Sequence, residues 1–197
     1  MEKLEELIER IKKLEKELAS EIQKKEEEFF YTIRGKKVHF EKEIRRHHRQ
    51  YASRLSTYLA TATLFNLLTA PVIWACLLPA LLLDLVVTLY HGICFPVYGI
   101  PKVRRSDYIV VDRHALRYLN LIEKINCAYC GYFNGLIAYV QEVAARTEQY
   151  WCPIKHARKI AAIHSRYGKF LEYGDAEGYR KRLERLRRDF ANLGEER

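Results

Sequence analysis

From Leu55 to Pro101 the chain contains no lysine, arginine or glutamate. In those 47 residues only Asp84 and His91, tyrosines and cysteines aside, can ionise. One membrane span needs about 20 apolar residues. The block is therefore too long for one straight span and suits two helices joined by a tight turn. A cleavable signal peptide is also lacking, because the first thirty residues are heavily charged, so the block reads as a permanent anchor. The alternative is a buried core hairpin in a soluble protein, which such a long, nearly uncharged run disfavours. Cysteines number five, and an odd count argues against a secreted disulfide framework. No H-E-x-x-H, P-loop or G-x-S-x-G is present, so no recognised catalytic spacing names a substrate.

What is there is basic. Thirty-four Lys and Arg oppose 25 Asp and Glu, a formal charge of +9. Anionic lipid headgroups are the simplest partner for that charge. Nucleic acid is not expected, since no recognition motif accompanies it. Arg45, Arg46, Arg49 and Arg54 precede the apolar block; Lys102, Arg104 and Arg105 follow it. These seven are the expected headgroup contacts. Basic flanks tend to stay cytoplasmic, so two of them imply two crossings or a re-entrant hairpin, turning near "ACLLPA" at Pro79. Both termini then lie in the cytoplasm, where thiols stay reduced.

The pattern divides the chain into six stretches. Residues 1–28 form a charged helix with a heptad seam of Leu4, Leu7, Ile11, Leu14 and Leu18. It is either a short coiled coil or a helix lying on the rest of the protein. Residues 29–41 alternate as a small β-hairpin with Gly35 in its turn. Residues 42–54 read as a basic juxtamembrane helix, with His47 and His48 pointing apart. The membrane hairpin takes 55–101. Residues 102–174 form a helical cytoplasmic domain: "DYIVVD" as a short strand, Asp112 as a helix cap, a "GYFNG" segment whose glycines permit a break or a close contact, and a new helix starting at Pro153. Residues 175–197 read as a basic amphipathic helix carrying Tyr179, Leu183, Leu186 and Phe190, solvated or lying on the membrane. The fold class is thus a mostly α-helical integral membrane protein with one small β-hairpin.

Three clusters carry candidate chemistry. Cys127, Cys130, Cys152 and His156 stand as C-x2-C-x21-C-x3-H. Two bidentate pairs suit a tetrahedral zinc, or iron. Cys152 at a helix N-terminus would favour thiolate. The set closes only if the intervening chain folds back or two subunits meet; otherwise these are buried, unligated thiols or a redox pair. Asp84, Thr88 and His91 share one face of the second apolar helix, with Asn66 and Thr69 opposite them in a hairpin. They form either a proton or cation path or a hydrogen-bonded helix contact. Asp112, Arg113 and His114, with Glu123, Glu142 and Glu148, are the third cluster. Capping and surface ion pairs explain most of it.

The stretches "LTAPVIW", "LLLDLVVTLYHGICFPVYGIPKVRRSDYIVVDRH", "YLNLIEKINCAYCGYFNG" and "ARTEQYWCPIKHAR" resemble a group of uncharacterised bacterial inner-membrane proteins. The likeness runs from about Leu68 to Asp175. It implies a bacterial inner-membrane location and no mechanism. Two functions follow from the residues: a membrane-anchored, self-associating protein holding a structural or sensing metal, or an oligomeric membrane-shaping scaffold with core cysteines.

Overall fold

The computed structural model describes residues 2–29, 31–34, 37–61 and 63–194. They are mostly helical, with one two-stranded antiparallel sheet. Gly35, expected in the hairpin turn, lies outside the described residues, as do the side chains of Leu4 and Leu7. The chain forms two compact units: Met1–Thr61 with Asp112–Ala128, and Ala62–Val111 with Tyr129–Arg197.

In the first unit α1 (Glu2–Glu28) precedes strands β1 (Tyr31–Arg34) and β2 (Lys37–Phe40). Tyr31 pairs with Phe40 and Ile33 with Val38, so these four share one face, as the alternation predicts. Helices α2 (Lys42–Gln50) and α3 (Leu55–Thr61) follow. Ile11, Leu14 and Leu18 on α1 are all more than half exposed. Nothing among the described residues covers these three positions of the expected seam, so the structure does not support the coiled-coil reading. His48 sits between the rings of Phe40 and Tyr118, at 5.0 and 5.2 Å.

The helix that closes this unit starts later than expected. Asp112 heads only a short 3-10 turn, Arg113–Ala115. The long helix α6 runs Leu121–Trp151 and opens on Asn120. The Asn120 side chain accepts from the Glu123 amide at 3.0 Å, and the Glu123 carboxylate accepts from the Asn120 amide at 2.8 Å. This reciprocal capping box satisfies two otherwise orphaned donors.

In the second unit α4 (Leu64–Ala75) and α5 (Leu77–Tyr98) replace the expected hairpin. Cys76 between them keeps a right-handed helical conformation, φ −62°, ψ −16°. The Ala80 amide reaches the Cys76 carbonyl at 3.3 Å. Pro79 falls in the first turn of α5, where its missing N–H costs no hydrogen bond. Leu64–Tyr98 is thus one 35-residue helical stretch, about 52 Å long at 1.5 Å per residue. It ends at Gly99, whose φ of 67° is the left-handed cap that glycine adopts without strain.

Residues 99–120 cross back, and α6 then packs beside α5. Contacting pairs rise together in number: Ile73 with Tyr129, Asp84 with Tyr132, His91 with Tyr139, Tyr98 with Tyr150. The two helices therefore run parallel, and a long crossover is required. "DYIVVD" forms no strand among the described residues; it lies across α6 at "GYFNG". A Cβ on Gly135 would stand 2.6 Å from the Tyr108 carbonyl oxygen. The glycines serve close approach, and α6 continues through them unbroken.

No helix begins at Pro153. The chain instead bridges Ile154 to Leu171. Asp175 caps α7 (Ala176–Leu186) by accepting from the Gly178 amide at 2.8 Å. The expected C-terminal helix is shorter than its basic run. Gln149 donates to the carbonyls of Leu186 and Asp189, taking up acceptors at its end. The core gathers Ala80, Phe95, Val103, Leu136, Tyr139, Val143 and Phe190.

Candidate functional site: a polar seam under an apolar helix

The buried and half-buried positions of α5 include Ala80, Asp84, Val87, His91, Cys94 and Tyr98, with Leu77, Tyr90 and Phe95 beside that stripe. On α6 they include Tyr132, Leu136, Tyr139, Val143, Arg146 and Tyr150. Both sets step by four and three, the spacing that keeps one stripe of a helix against a neighbour. The rest of α4 and α5 faces outward. Sixteen large apolar side chains there are exposed, from 37% at Trp74 to 78% at Phe65. The packed side mixes apolar residues with Asp84, His91 and Arg146, while the outward side is apolar.

Asp84 lies at the centre of the seam. Arg105 from the crossover grips both its carboxylate oxygens, the Nη2–Oδ2 contact being 2.6 Å. The Tyr132 hydroxyl donates to Oδ2 at 2.8 Å and Thr88 to Oδ1 at 3.2 Å. With four donors the carboxylate is saturated. Hydrogen bonding to Asp84 raises the Arg105 guanidinium above its ordinary value. Burial, then the Asp84 bond, pushes the Tyr132 phenol up.

His91, 8% exposed, accepts the Val103 amide on Nε2 at 2.9 Å. Its ring lies edge-on to Phe95 and Tyr139. Further along, buried Arg146 donates to Glu142 at 2.7 Å and to the Pro101 carbonyl at 2.9 Å. Ser165 donates to the other Glu142 oxygen at 2.6 Å. These bonds tie the crossover and the C-terminal segment to α6.

Of the expected membrane polar face, Thr88 reaches Asp84, whereas His91 lies further along the same helix and takes the Val103 amide. Asn66 does not join them. It is exposed on α4, about 27 Å up the same helix by 18 residues of rise. Thr69 is spent on the Phe65 carbonyl at 2.9 Å. The basic flanks divide as well: Arg45, Arg46, Arg49, Arg54, Lys102 and Arg104 are exposed, whereas Arg105 belongs to Asp84.

The metal reading is overturned. Among the described residues no group of three or more His, Cys, Asp or Glu side chains is placed to hold an ion. Cys130 and Cys152 are separated by 22 residues of continuous α6 and its end, about 33 Å. A zinc or iron ion bridges no such gap. The His156 ring stacks on Tyr167 instead, at 6.3 Å between centroids. Cys152 follows the C-terminus of α6, not an N-terminus. Burial, then the Glu148 carboxylate, pushes its thiol above the ordinary range, opposite to the expected thiolate.

In the third cluster Glu123 caps α6, Glu142 holds Arg146, and Glu148 lies 3.0 Å from His164 Nε2. Sequence reasoning missed Arg105, Tyr132 and Arg146 as partners within the seam. The three-and-four recurrence of tyrosines at 129, 132, 139 and 150 on α6 was the available sign.

Comparison with protein-family models, curated proteins and solved structures gave no match.

Proposed function

We propose that the chain is a bacterial inner-membrane protein held in the cytoplasmic leaflet by α4 and α5, with both termini on the cytoplasmic side. Its chemistry is binding: the bilayer, and anionic headgroups through the exposed arginines of α2 and through Lys102 and Arg104. One observation carries this reading, the wide exposed apolar surface of Leu64–Tyr98. Half-exposing a large apolar side chain in water forgoes about 1 kcal/mol. Sixteen of them together match the whole stability of a typical domain, about 5–15 kcal/mol. In lipid that cost disappears, and the one acidic group on the helix already faces inward to Arg105.

The single helix also bears on the topology. Basic residues flank both ends, and basic flanks favour the cytoplasmic side. An unturned helix with both ends on one side lies within the leaflet, apolar surface down and polar seam up. The exposed α1 stripe of Ile11, Leu14 and Leu18 supports self-association as well.

Two measurements test the proposal. The expressed protein should resist alkaline extraction from membranes yet dissolve in detergent. Single cysteines placed at Ser53 and Ser106, in a background with the native cysteines replaced by serine, should both be labelled from the cytoplasmic face. Release by alkali would remove the membrane reading; labelling from opposite faces would remove the one-leaflet topology.

A further inference from the structure

The first unit carries two adjoining concavities that share a wall. One, of about 440 Å³, is lined by Arg45 of α2, His39 of β2, His114 of the 3-10 turn and Arg117 just beyond it. Among the described residues no carboxylate lines it. The other, of about 290 Å³, is lined by Tyr31, Ile33 and Leu116, with Asp112 and Arg113 as its charged members. Val38, Phe40 and Ala115 line both. The apolar side is built by the hairpin face that the register puts together, Tyr31 and Phe40 beside Ile33 and Val38.

We infer that this pair of concavities is a binding site for one anionic phospholipid, its phosphate held by Arg45 and Arg117 and the start of an acyl chain laid in the apolar cleft. The inference deepens the lipid-binding reading above and rests on it for the choice of ligand. Arginine forks match phosphate oxygens and add charge-assisted hydrogen bonds. His39 supplies a further ring nitrogen. A solvated basic face would need no apolar cleft against its wall. A free phosphate would leave that cleft unused, whereas an amphiphile fills both halves. Charge complementarity selects an anionic head over a zwitterionic one.

The site can be tested in uncharged maltoside micelles, without any bilayer. Failure here is therefore separate from failure of alkaline extraction or cysteine labelling. The full chain is titrated calorimetrically with dihexanoyl phosphatidylglycerol, with dihexanoyl phosphatidylcholine and with inorganic phosphate. Phosphatidylglycerol should bind at least tenfold tighter than either of the others. Arg45→Gln with Arg117→Gln should weaken it at least tenfold, while Arg158→Gln leaves it unchanged. Leu116→Ser should weaken the lipid and not phosphate. Circular dichroism checks that each variant keeps its helix content; should the double variant lose it, the single variants carry the comparison. Equal binding of the two lipids overturns the proposal. So does phosphate binding as tightly as the anionic lipid, or arginine variants that keep their helix content and bind like the parent.

Discussion

Asp84 and Arg105, 21 residues apart in sequence, meet through two parallel hydrogen bonds that join the apolar helix to the crossover following it. The pair does two jobs. It neutralises the one acid of Leu64–Tyr98, and it fixes where the crossover lies. An unpaired carboxylate in hydrocarbon costs at least about 2.5–3.5 kcal/mol on insertion scales.

Removing one partner strands the other. Arg105→Ala should lower stability by about 1–3 kcal/mol, below the usual cost of breaking a buried pair because Arg105 keeps solvent contact. Asp84→Asn in the same chain should restore a large part of the loss. Thermal melts of the two single variants and the double variant in detergent measure the coupling; additive effects would show that the pair contributes little.

Gly135 admits no side chain. A methyl group there would meet the Tyr108 carbonyl oxygen at 2.6 Å and the Ile109 Cα at 2.8 Å, both backbone atoms. Gly135→Ala should destabilise by about 1–3 kcal/mol, the usual cost of overpacking. Gly131→Ala, whose nearest contact is 3.0 Å, should cost less. Equal melting temperatures for the two variants would contradict the crossover geometry.

Cys152 should be a slow nucleophile. Its folded thiol holds the proton to higher pH than an ordinary cysteine, first through burial and then through Glu148. The reactive thiolate is therefore scarcer at pH 8. Iodoacetamide should alkylate it more slowly than a cysteine peptide at that pH. Glu148→Gln should speed the reaction and shift its pH profile down; a rate unchanged by that substitution would remove the electrostatic part of the account.

His48 gives the first unit a sensitivity to acid. Burial, and then His47 beside it, hold its imidazole below the ordinary 6.5, and its Nδ1 is buried with no hydrogen-bond partner among the described residues. The unfolded chain then takes up a proton at a higher pH than the folded one. Stability is unaffected well above 6.5 and falls as pH drops through that value. Amide exchange across α2 should accelerate between pH 7 and pH 5.5, after correction for intrinsic rates, and His48→Phe should flatten the change. Equal acceleration in that variant would place the titration elsewhere.

Much of the local structure is legible in the residues. Alternation at Tyr31, Ile33, Val38 and Phe40 marks the hairpin, because side chains on a strand face opposite ways in turn. The run with no lysine, arginine or glutamate marks the apolar helix. Its turn does not exist, since a proline in the first helical turn loses no bond; "ACLLPA" contains a helix start that resembles a stop. The cysteine spacing misleads for a related reason. Ligand spacing has meaning only when the chain between folds back, and "GYFNG" looks like the place. Its glycines instead make room for the backbone of Tyr108 and Ile109, a demand from a distant segment.

The residues alone determine that this chain carries a long apolar helix, a small hairpin and a strong positive charge, because periodicity and charge act within a few turns of backbone. Tertiary structure alone decides that Asp84 is matched by Arg105, that α5 and α6 run side by side in one direction, and that Cys130 and Cys152 stay far apart. Those outcomes depend on which segment crosses which, and local spacing carries no record of that.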